Sequence, residues 1–419
     1  MISIKAISPA RIYAAAMNPI PRIPRGYCGP TLFSYGFRPF FLAGSAWAAL
    51  SILLWVPQIF GEFTLTTAFV PRDWHIHEML YGYLAAVIAG FLLTAIPNWT
   101  GRLPVAGLPL ALLFSLWLAG RAAMALSAAT GPLVAAIADL SFLLALAAVA
   151  LREIIAGRNW RNLRVLGILT VLIAGNAVFH IEAATKAVAD YGIRIGIAAA
   201  IGLIMLIGGR IVPSFTHNYL LRQAPRRDAP GRLPQPFSRF DALCIAIGAV
   251  ALTAWIAEPA WSITGVLLLV AGVLHIARLA RWAGDRTFGD RLVLALHVGY
   301  SFVPLGFLLT AMSSLRPDLL PASAGAHAWT VGAVGMMTLA VMTRATLGHT
   351  GRMLAASRGT EAIYACVIIA AIARVGASLG HTELLLHVAG LAWIAAFLGF
   401  VVLYGPMLAR ASRASKRGC

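Results

Sequence analysis

The sequence consists mainly of apolar stretches that are each long enough to cross a lipid bilayer. A membrane-spanning helix needs about 20 consecutive apolar residues to cover roughly 30 Å of hydrocarbon. Of the 419 residues, 60% are hydrophobic and 11% are charged, a composition far from that of a soluble domain. The pattern predicts an all-α polytopic membrane protein with about twelve transmembrane helices. The predicted segments run near 40–60, 77–97, 107–127, 132–151, 165–184, 194–213, 241–257, 261–280, 292–312, 326–345, 361–380 and 386–408.

The distribution of positive charge predicts the orientation of these helices. The formal net charge is +18, and a strongly basic chain can indicate nucleic-acid binding. Here the lysines and arginines concentrate in alternate loops, which is the pattern that the positive-inside rule describes. An even number of helices then places both termini in the cytoplasm. The lipid bilayer explains the basic character, and no nucleic acid is needed as a partner.

The segments outside the predicted helices are short. Residues 1–35 contain no apolar core long enough for a signal peptide, and they are predicted to form a cytoplasmic N-terminal segment. The twelve-helix membrane domain is predicted to cover 36–410. Residues 214–239 are basic and proline-rich, which predicts a cytoplasmic linker between helices six and seven. Residues 411–419 are predicted to form a basic cytoplasmic tail.

Several common motifs of catalytic and metal sites are missing. The cysteines are scattered without the CxxC spacing of zinc and redox sites. The sequence contains no Walker A motif, no CxxCH motif for covalent haem and no HExxH motif. Any metal or cofactor chemistry is therefore expected to depend on the histidines.

The second and tenth segments share a pattern at a shift of 250 residues. The sixth segment also ends in VPSFT (212–216), an imperfect copy of the IPNWT (96–100) that ends the second. Because these segments are four apart, the pattern favours three four-helix repeats, and chance similarity between apolar helices is the alternative. The matched positions are His77 and His327, Gly82 and Gly332, Ala95 and Ala345, and Thr100-Gly101-Arg102 and Thr350-Gly351-Arg352.

Four histidines are candidate ligands because the predicted topology brings them to the same depth. His75 and His77 begin helix two, His180 ends helix five, and His327 begins helix ten, all near the outer face. Imidazole is the commonest protein ligand of transition metals and also binds haem iron. A histidine at a helix end is more often a hydrogen-bonded interfacial residue. The shared depth favours a cofactor- or metal-binding centre, with His77 paired to His327.

The spacing within WHIHEMLYGY (74–83) separates the roles of its residues. His75 and His77 are two apart, so they point to nearly opposite sides of a regular helix and cannot easily share one metal. Glu78 lies on the side of His75 and is predicted to orient its ring. Tyr81 lies one turn after His77. Glu182 follows His180 in FHIE (179–182), and these three non-histidine side chains are predicted to support the ligands.

The inner face has a weaker signal. Arg102, Arg210 and Arg352 stand near glycine, proline or histidine residues at predicted helix ends. Arginine at a cytoplasmic helix end also satisfies the positive-inside rule and the helix dipole. The alternative is that these arginines hold carboxylates such as haem propionates. His297 lies well inside helix nine, which predicts a ligand or proton-relay role, and Arg374 inside helix eleven requires an anionic partner.

Six long motifs resemble the NnrS family across roughly residues 31–410. The resemblance implies a twelve-helix protein of the bacterial inner membrane that contains haem and copper. It also implies a role in the response to nitric oxide, in denitrification or in protection against nitrosative stress. The motifs are GFRPFFL (36–42), WHIHEMLYGY (74–83), AGFLLTAIPNWTGR (89–102), GGRIVPSFT (208–216), LHVGY (296–300) and HAWTVGAVGMMTLAVMTRATLGHTGR (327–352).

Three functions remain open from the sequence. The first is a haem- and copper-binding membrane protein that binds or converts nitric oxide or a related small molecule. The second is a transporter or exporter of a metal or metal–thiol species, in which the same histidines form a transient site. Pro97, Pro213 and Pro304 are predicted to break helices in a way that such a transporter could use. The third is a membrane sensor or assembly factor without turnover.

Overall fold

The computed structural model describes residues 27, 29–186, 188–223, 231–380 and 382–410. These residues form helices and no strands, and twelve of the helices are long and apolar enough to cross a membrane. This confirms the predicted all-α, twelve-span fold. The spans are α1 Phe37–Ile59, α2 Pro71–Thr100, α3 Leu108–Ala125, α4 Pro132–Ala156, α5 Trp160–Lys186, α6 Tyr191–Gln223, α7 Arg239–Ala257, α8 Ser262–Arg286, α9 Arg291–Leu315, α10 Ala322–His349, α11 Arg358–Gly376 and α12 Glu383–Ala409.

Helix α6 continues beyond the predicted end of the sixth segment. The chain remains helical through Pro213 to Gln223, so residues 214–223 belong to α6 and not to the predicted linker. Tyr219 and Leu220 are buried against residues at the start of α9, and this packing explains why the helix persists. Residues 224–230 of the predicted linker, most of the predicted N-terminal segment and the predicted tail lie outside the described residues.

Burial along the chain repeats with a period of four helices. The most apolar windows of α2, α6 and α10 are 83%, 67% and 72% buried within the protein, whereas those of the third and fourth helix in each group are 33–39% buried. Helices α2 and α10 both contact α6, and α12 packs against α1. The central helices α2, α6 and α10, together with α9, whose window is 67% buried, therefore form most of the core, and the third and fourth helix of each group separate them from lipid.

The two helices that match at a shift of 250 residues also share backbone features. Each contains a π-helical segment, Glu78–Leu84 in α2 and Ala328–Gly335 in α10. Each ends at a glycine with a positive φ, 72° at Gly101 and 68° at Gly351. A left-handed residue after the last turn is a common helix stop. Helices α2 and α10 therefore match in backbone conformation as well as in sequence. This is expected if they are equivalent helices of a four-helix repeat.

The start of α2 is fixed so that its histidines lie at a defined depth. Pro71 occupies the first turn, where its fixed φ suits a helix and its missing N–H is not needed. Asp73 is buried and accepts a hydrogen bond of 3.0 Å from the backbone N–H of Ala189. This contact ties the beginning of α2 to the loop that precedes α6.

Candidate functional site

A large cavity lies at the predicted outer ends of the central helices, and we call it the outer cavity. Its volume is about 520 Å³, and its walls come mainly from α1, α2, α6, α10, α11 and α12. Most of the lining is aliphatic or aromatic. The polar residues of the lining include His75, His327, Arg72, Arg194 and Arg374.

His327 is oriented as a metal-binding histidine would be. Its Nδ1–H donates a hydrogen bond of 2.6 Å to the backbone carbonyl of Ser323, one turn earlier in α10. That bond fixes the tautomer, so the lone pair is on Nε2, and such a bond is typical of ligating histidines. The π-helical segment Ala328–Gly335 starts directly after this residue, and π-helical turns occur frequently at functional sites.

His75 contributes a second imidazole to the outer cavity. Its ring stacks on Trp55 of α1, with the ring centroids 4.0 Å apart and the planes at 20°. Its Nδ1 is buried and has no hydrogen-bond partner among the described residues. A buried polar nitrogen without a partner is costly, so this atom is available for a ligand.

Three arginines supply positive charge to the same cavity. Arg72 pairs with Asp190 at 3.0 Å, and Arg194 donates to the carbonyl of Ile256 at 3.0 Å. Arg374 has no hydrogen bond or ion pair with any residue that the structure describes. Arg374 lies in the last turn of α11 and is half-buried. Its side chain lines the outer cavity, where an anionic ligand would reach it.

His77 lies in a separate group of residues, which we call the buried cluster. All of its members are buried inside the protein, between α2, α3, α4 and α5. Nitrogen atoms of His77 and His180 and an oxygen of Asp139 lie within 4.8 Å of one another, a spacing that suits a metal ion. The members are His77, Glu78, Arg121, Asp139, Asn176 and His180.

Both ring nitrogens of His77 face hydrogen-bond acceptors. Nδ1 is 3.0 Å from a carboxylate oxygen of Glu78, and Nε2 is 3.1 Å from Oδ2 of Asp139 and 3.1 Å from Oδ1 of Asn176. Nε2 of His180 approaches the same Asp139 oxygen at 3.2 Å. A neutral imidazole has one donor and one acceptor nitrogen. His77 is therefore doubly protonated, or it is neutral and its acceptor nitrogen meets a cation or the proton of a carboxyl group.

Arg121 holds the two carboxylates of the buried cluster. One guanidinium nitrogen lies 2.6 Å from both oxygens of Glu78, and the other donates to Asp139. Trp47 also donates to Glu78 at 2.6 Å. If both acids are ionised, the two negative charges outnumber the single arginine by one. A cation among the ring nitrogens would balance that charge.

The structure corrects two sequence-based assignments. The residue that shares the outer cavity with His327 is His75, whereas His77 lies in the buried cluster. Glu78 bonds the ring of His77 and not that of His75. The two-residue spacing explains why His75, and not His77, shares the outer cavity with His327. The spacing directs the two histidines to different sides of α2, and only one side faces α10.

Tyr81 and Glu182 support the buried cluster through the first turn of α6. The hydroxyl of Tyr81 donates to the carbonyl of Gly192 at 2.7 Å, and the N–H of Gly192 donates to Glu182 at 2.8 Å. Lys186 lies 3.4 Å from Glu182. These contacts fix α2 and α5 against α6 beside the histidines.

The residues predicted on the inner face do not join either site. Arg102 pairs with Glu153 at 2.6 Å and connects the end of α2 to α4. Arg210 and Arg352 are exposed. His297 is buried, and its Nε2 is 2.8 Å from the hydroxyl of Thr216. None of the four lines the outer cavity.

Three residues of the buried cluster are not among the predicted site residues. Arg121, Asp139 and Asn176 lie within helices where apolar residues predominate. Each interrupts an apolar segment, and a polar group inside a membrane span usually has a partner. That signal is present in the sequence, but it does not identify which helices meet.

The fold and the cavities define a polytopic α-helical membrane protein with two internal polar sites near one membrane face. The family model described as "NnrS: NnrS protein" matches residues 31–412. The chain therefore belongs to the NnrS family, which confirms the resemblance. Comparison with curated proteins gave no match.

The buried cluster predicts a large effect of removing its arginine. Arg121→Met leaves two buried carboxylates without their counter-charge, and breaking a buried pair typically costs about 3–5 kcal/mol. We expect the free energy of unfolding to fall by about that amount, with a lower melting temperature of the detergent-purified protein. Arg316→Met is the matched control, because Arg316 and its partner Asp318 are exposed. Equal melting temperatures for the two variants would contradict the assignment.

Proposed function

We propose that this protein binds haem and copper in the inner membrane of a bacterium and acts in the nitric oxide response or in protection against nitrosative stress. The observation that carries the proposal is the outer cavity, where two imidazoles and an unpaired arginine meet in an apolar enclosure. Family membership supports the same function. The predicted topology places this cavity at the outer face and both termini in the cytoplasm.

The residues of the outer cavity fit a haem. Haem is a flat, largely apolar ring with two carboxylate groups and an iron that binds imidazole. A volume of about 520 Å³ lies within the range of pockets that enclose small ligands and cofactors. Nε2 of His327 and the unpartnered His75 would hold the iron. Arg374, together with Arg72 and Arg194, would bind the carboxylates.

The outer cavity would also control what reaches a bound haem. Haem iron held by two imidazoles has no free coordination position, so the haem would supply electron exchange and would take a diatomic ligand where that ligand replaces one imidazole. The largely apolar lining lowers the number of water molecules near the histidines. The stacked Trp55 keeps the His75 ring in one orientation. Nitric oxide is neutral and small, so this enclosure does not oppose its access.

The buried cluster fits a transition-metal ion such as copper. Two imidazole nitrogens and a carboxylate oxygen already converge within 4.8 Å, and imidazole suits copper, iron and zinc. Glu78 would fix the His77 ring through Nδ1, the usual role of a carboxylate behind a ligating histidine. A doubly protonated His77 would balance the charge without metal, so metal analysis separates the two arrangements.

The haem assignment is tested with paired histidine variants. We expect His327→Ala and His75→Ala to lose at least about 80% of the haem absorbance per chain, because each removes an iron ligand. His180→Ala should retain the haem, since that residue does not line the outer cavity. His387→Ala is the matched control, because His387 is an exposed histidine of α12. The readout is the reduced-minus-oxidised optical spectrum of purified protein. Unchanged haem content in both cavity variants would disprove this ligand assignment.

A metal ion in the buried cluster predicts that His180→Ala and His327→Ala have opposite effects on metal content and haem content. Elemental analysis of wild-type protein should find about one transition-metal ion per chain in addition to haem iron. His180→Ala should remove most of that metal and leave the haem spectrum intact, whereas His327→Ala should keep the metal. A wild-type protein with haem but without a second metal would indicate that a proton on His77 or on a carboxyl group balances the charge of the buried cluster.

The alternative function, transport of a metal, predicts a different haem and metal content for the same purified protein. A wild-type protein that carries neither haem nor metal after expression with haem supply would disagree with the proposed cofactors. Movement of copper into proteoliposomes by that protein would then favour a transporter that uses the same histidines transiently.

A further inference from the structure

A second, smaller cavity lies deeper in the membrane domain, where α2, α6 and α10 meet, and we call it the inner cavity. It is partly open on one side, where Phe91, Ile204 and Ile207 are half-buried. Its volume is about 90 Å³. Its lining is almost entirely aliphatic and aromatic, and includes Leu84 and Phe91 from α2, Ala200 from α6, and Val334 from α10. The hydroxyl of Thr338 is its main polar side-chain group, and that hydroxyl already bonds within the protein.

Residues from three π-helical segments line the inner cavity. The segments are Glu78–Leu84, Ile204–Gly208 and Ala328–Gly335, and each contributes at least one residue to the lining. A π-helical turn is wider than an α-helical turn and disturbs the regular packing of side chains. The inner cavity therefore lies beside wider helical turns on all three central helices.

The inner cavity and the outer cavity share part of their walls. Val334 lines both cavities. Tyr83 lines the outer cavity and is hydrogen-bonded to Thr338, which lines the inner one. The walls also continue one turn deeper along α2, from Leu80 in the outer cavity to Leu84 in the inner cavity. One valine side chain is therefore shared between the two spaces.

The lining decides which molecules the inner cavity can hold. A buried water needs about 10–15 Å³ and two to four polar partners, and apolar cavities of sufficient size stay dry and bind xenon or small hydrocarbons. The inner cavity has the volume but not the partners. An ion would be strongly disfavoured at this depth. A neutral, apolar molecule of two or three atoms fits both the volume and the chemistry, and it also dissolves in the surrounding hydrocarbon.

We propose that the inner cavity binds neutral apolar gas molecules from the bilayer and delivers them past Val334 to the outer cavity. Binding in the inner cavity stands on its own geometry. Delivery to an iron in the outer cavity rests on the proposed function. The inner cavity would raise the local concentration of such a gas beside the histidines without admitting ions or water.

The first test uses xenon, whose binding does not depend on haem. Crystals of the wild-type protein under xenon pressure should show an anomalous peak bounded by Leu84, Ala200 and Val334. Ala200→Leu should remove the peak, because the added side chain fills the space. Ala174→Leu is the matched control, since Ala174 faces outward on the neighbouring α5. No xenon in the wild-type cavity would overturn the proposal.

The second test measures delivery with carbon monoxide as the probe. After flash photolysis of the reduced haem protein, Ala200→Leu should slow bimolecular rebinding about ten-fold and leave the haem spectrum and the equilibrium affinity unchanged. Ala174→Leu should rebind at the wild-type rate. Xenon in the cavity with an unchanged rebinding rate would overturn delivery. A protein without haem would overturn the proposed function, and the xenon result alone would then decide whether the inner cavity binds gas.

Discussion

The arrangement of the whole membrane domain depends on where its few buried charges are neutralised. Lipid offers no hydrogen bonds, so an ionised group inside a span must meet its partner within the protein. Arg121 meets two carboxylates from two other helices, and this joins α2, α3 and α4 at one depth. The ring of His77 hydrogen-bonds the same two carboxylates. The opposite side of α2, which carries His75, is thereby left to face α10 and the outer cavity.

The two polar sites differ in how completely they are satisfied. In the buried cluster nearly every donor has an acceptor, and removing one partner of such a pair typically costs several kcal/mol. In the outer cavity Arg374 and the Nδ1 of His75 have no partner among the described residues. The first arrangement stabilises the fold and suits a small cation. The outer cavity leaves a guanidinium and an imidazole nitrogen without partners among the described residues. A ligand with anionic groups and a metal would bind both.

The sequence predicted the number of helices because hydrocarbon thickness imposes a length that can be counted directly. It also placed the four candidate histidines near one face, and the 250-residue match reappears in two π-helical segments and two helix stops. The pairing of histidines could not be predicted, because helix spacing gives directions around one helix but not the identity of its neighbours. For the same reason the sequence could not show that Asp139 and Arg121 meet. The cavities follow from helix packing, which the sequence pattern does not specify.

The most direct test is a cryo-EM map of the wild-type protein, expressed with haem supply and reconstituted in lipid nanodiscs. We expect planar density in the outer cavity between His75 and His327, with carboxylate density beside Arg374. Lipid or no density in that cavity, or a haem bound elsewhere in the protein, would contradict it.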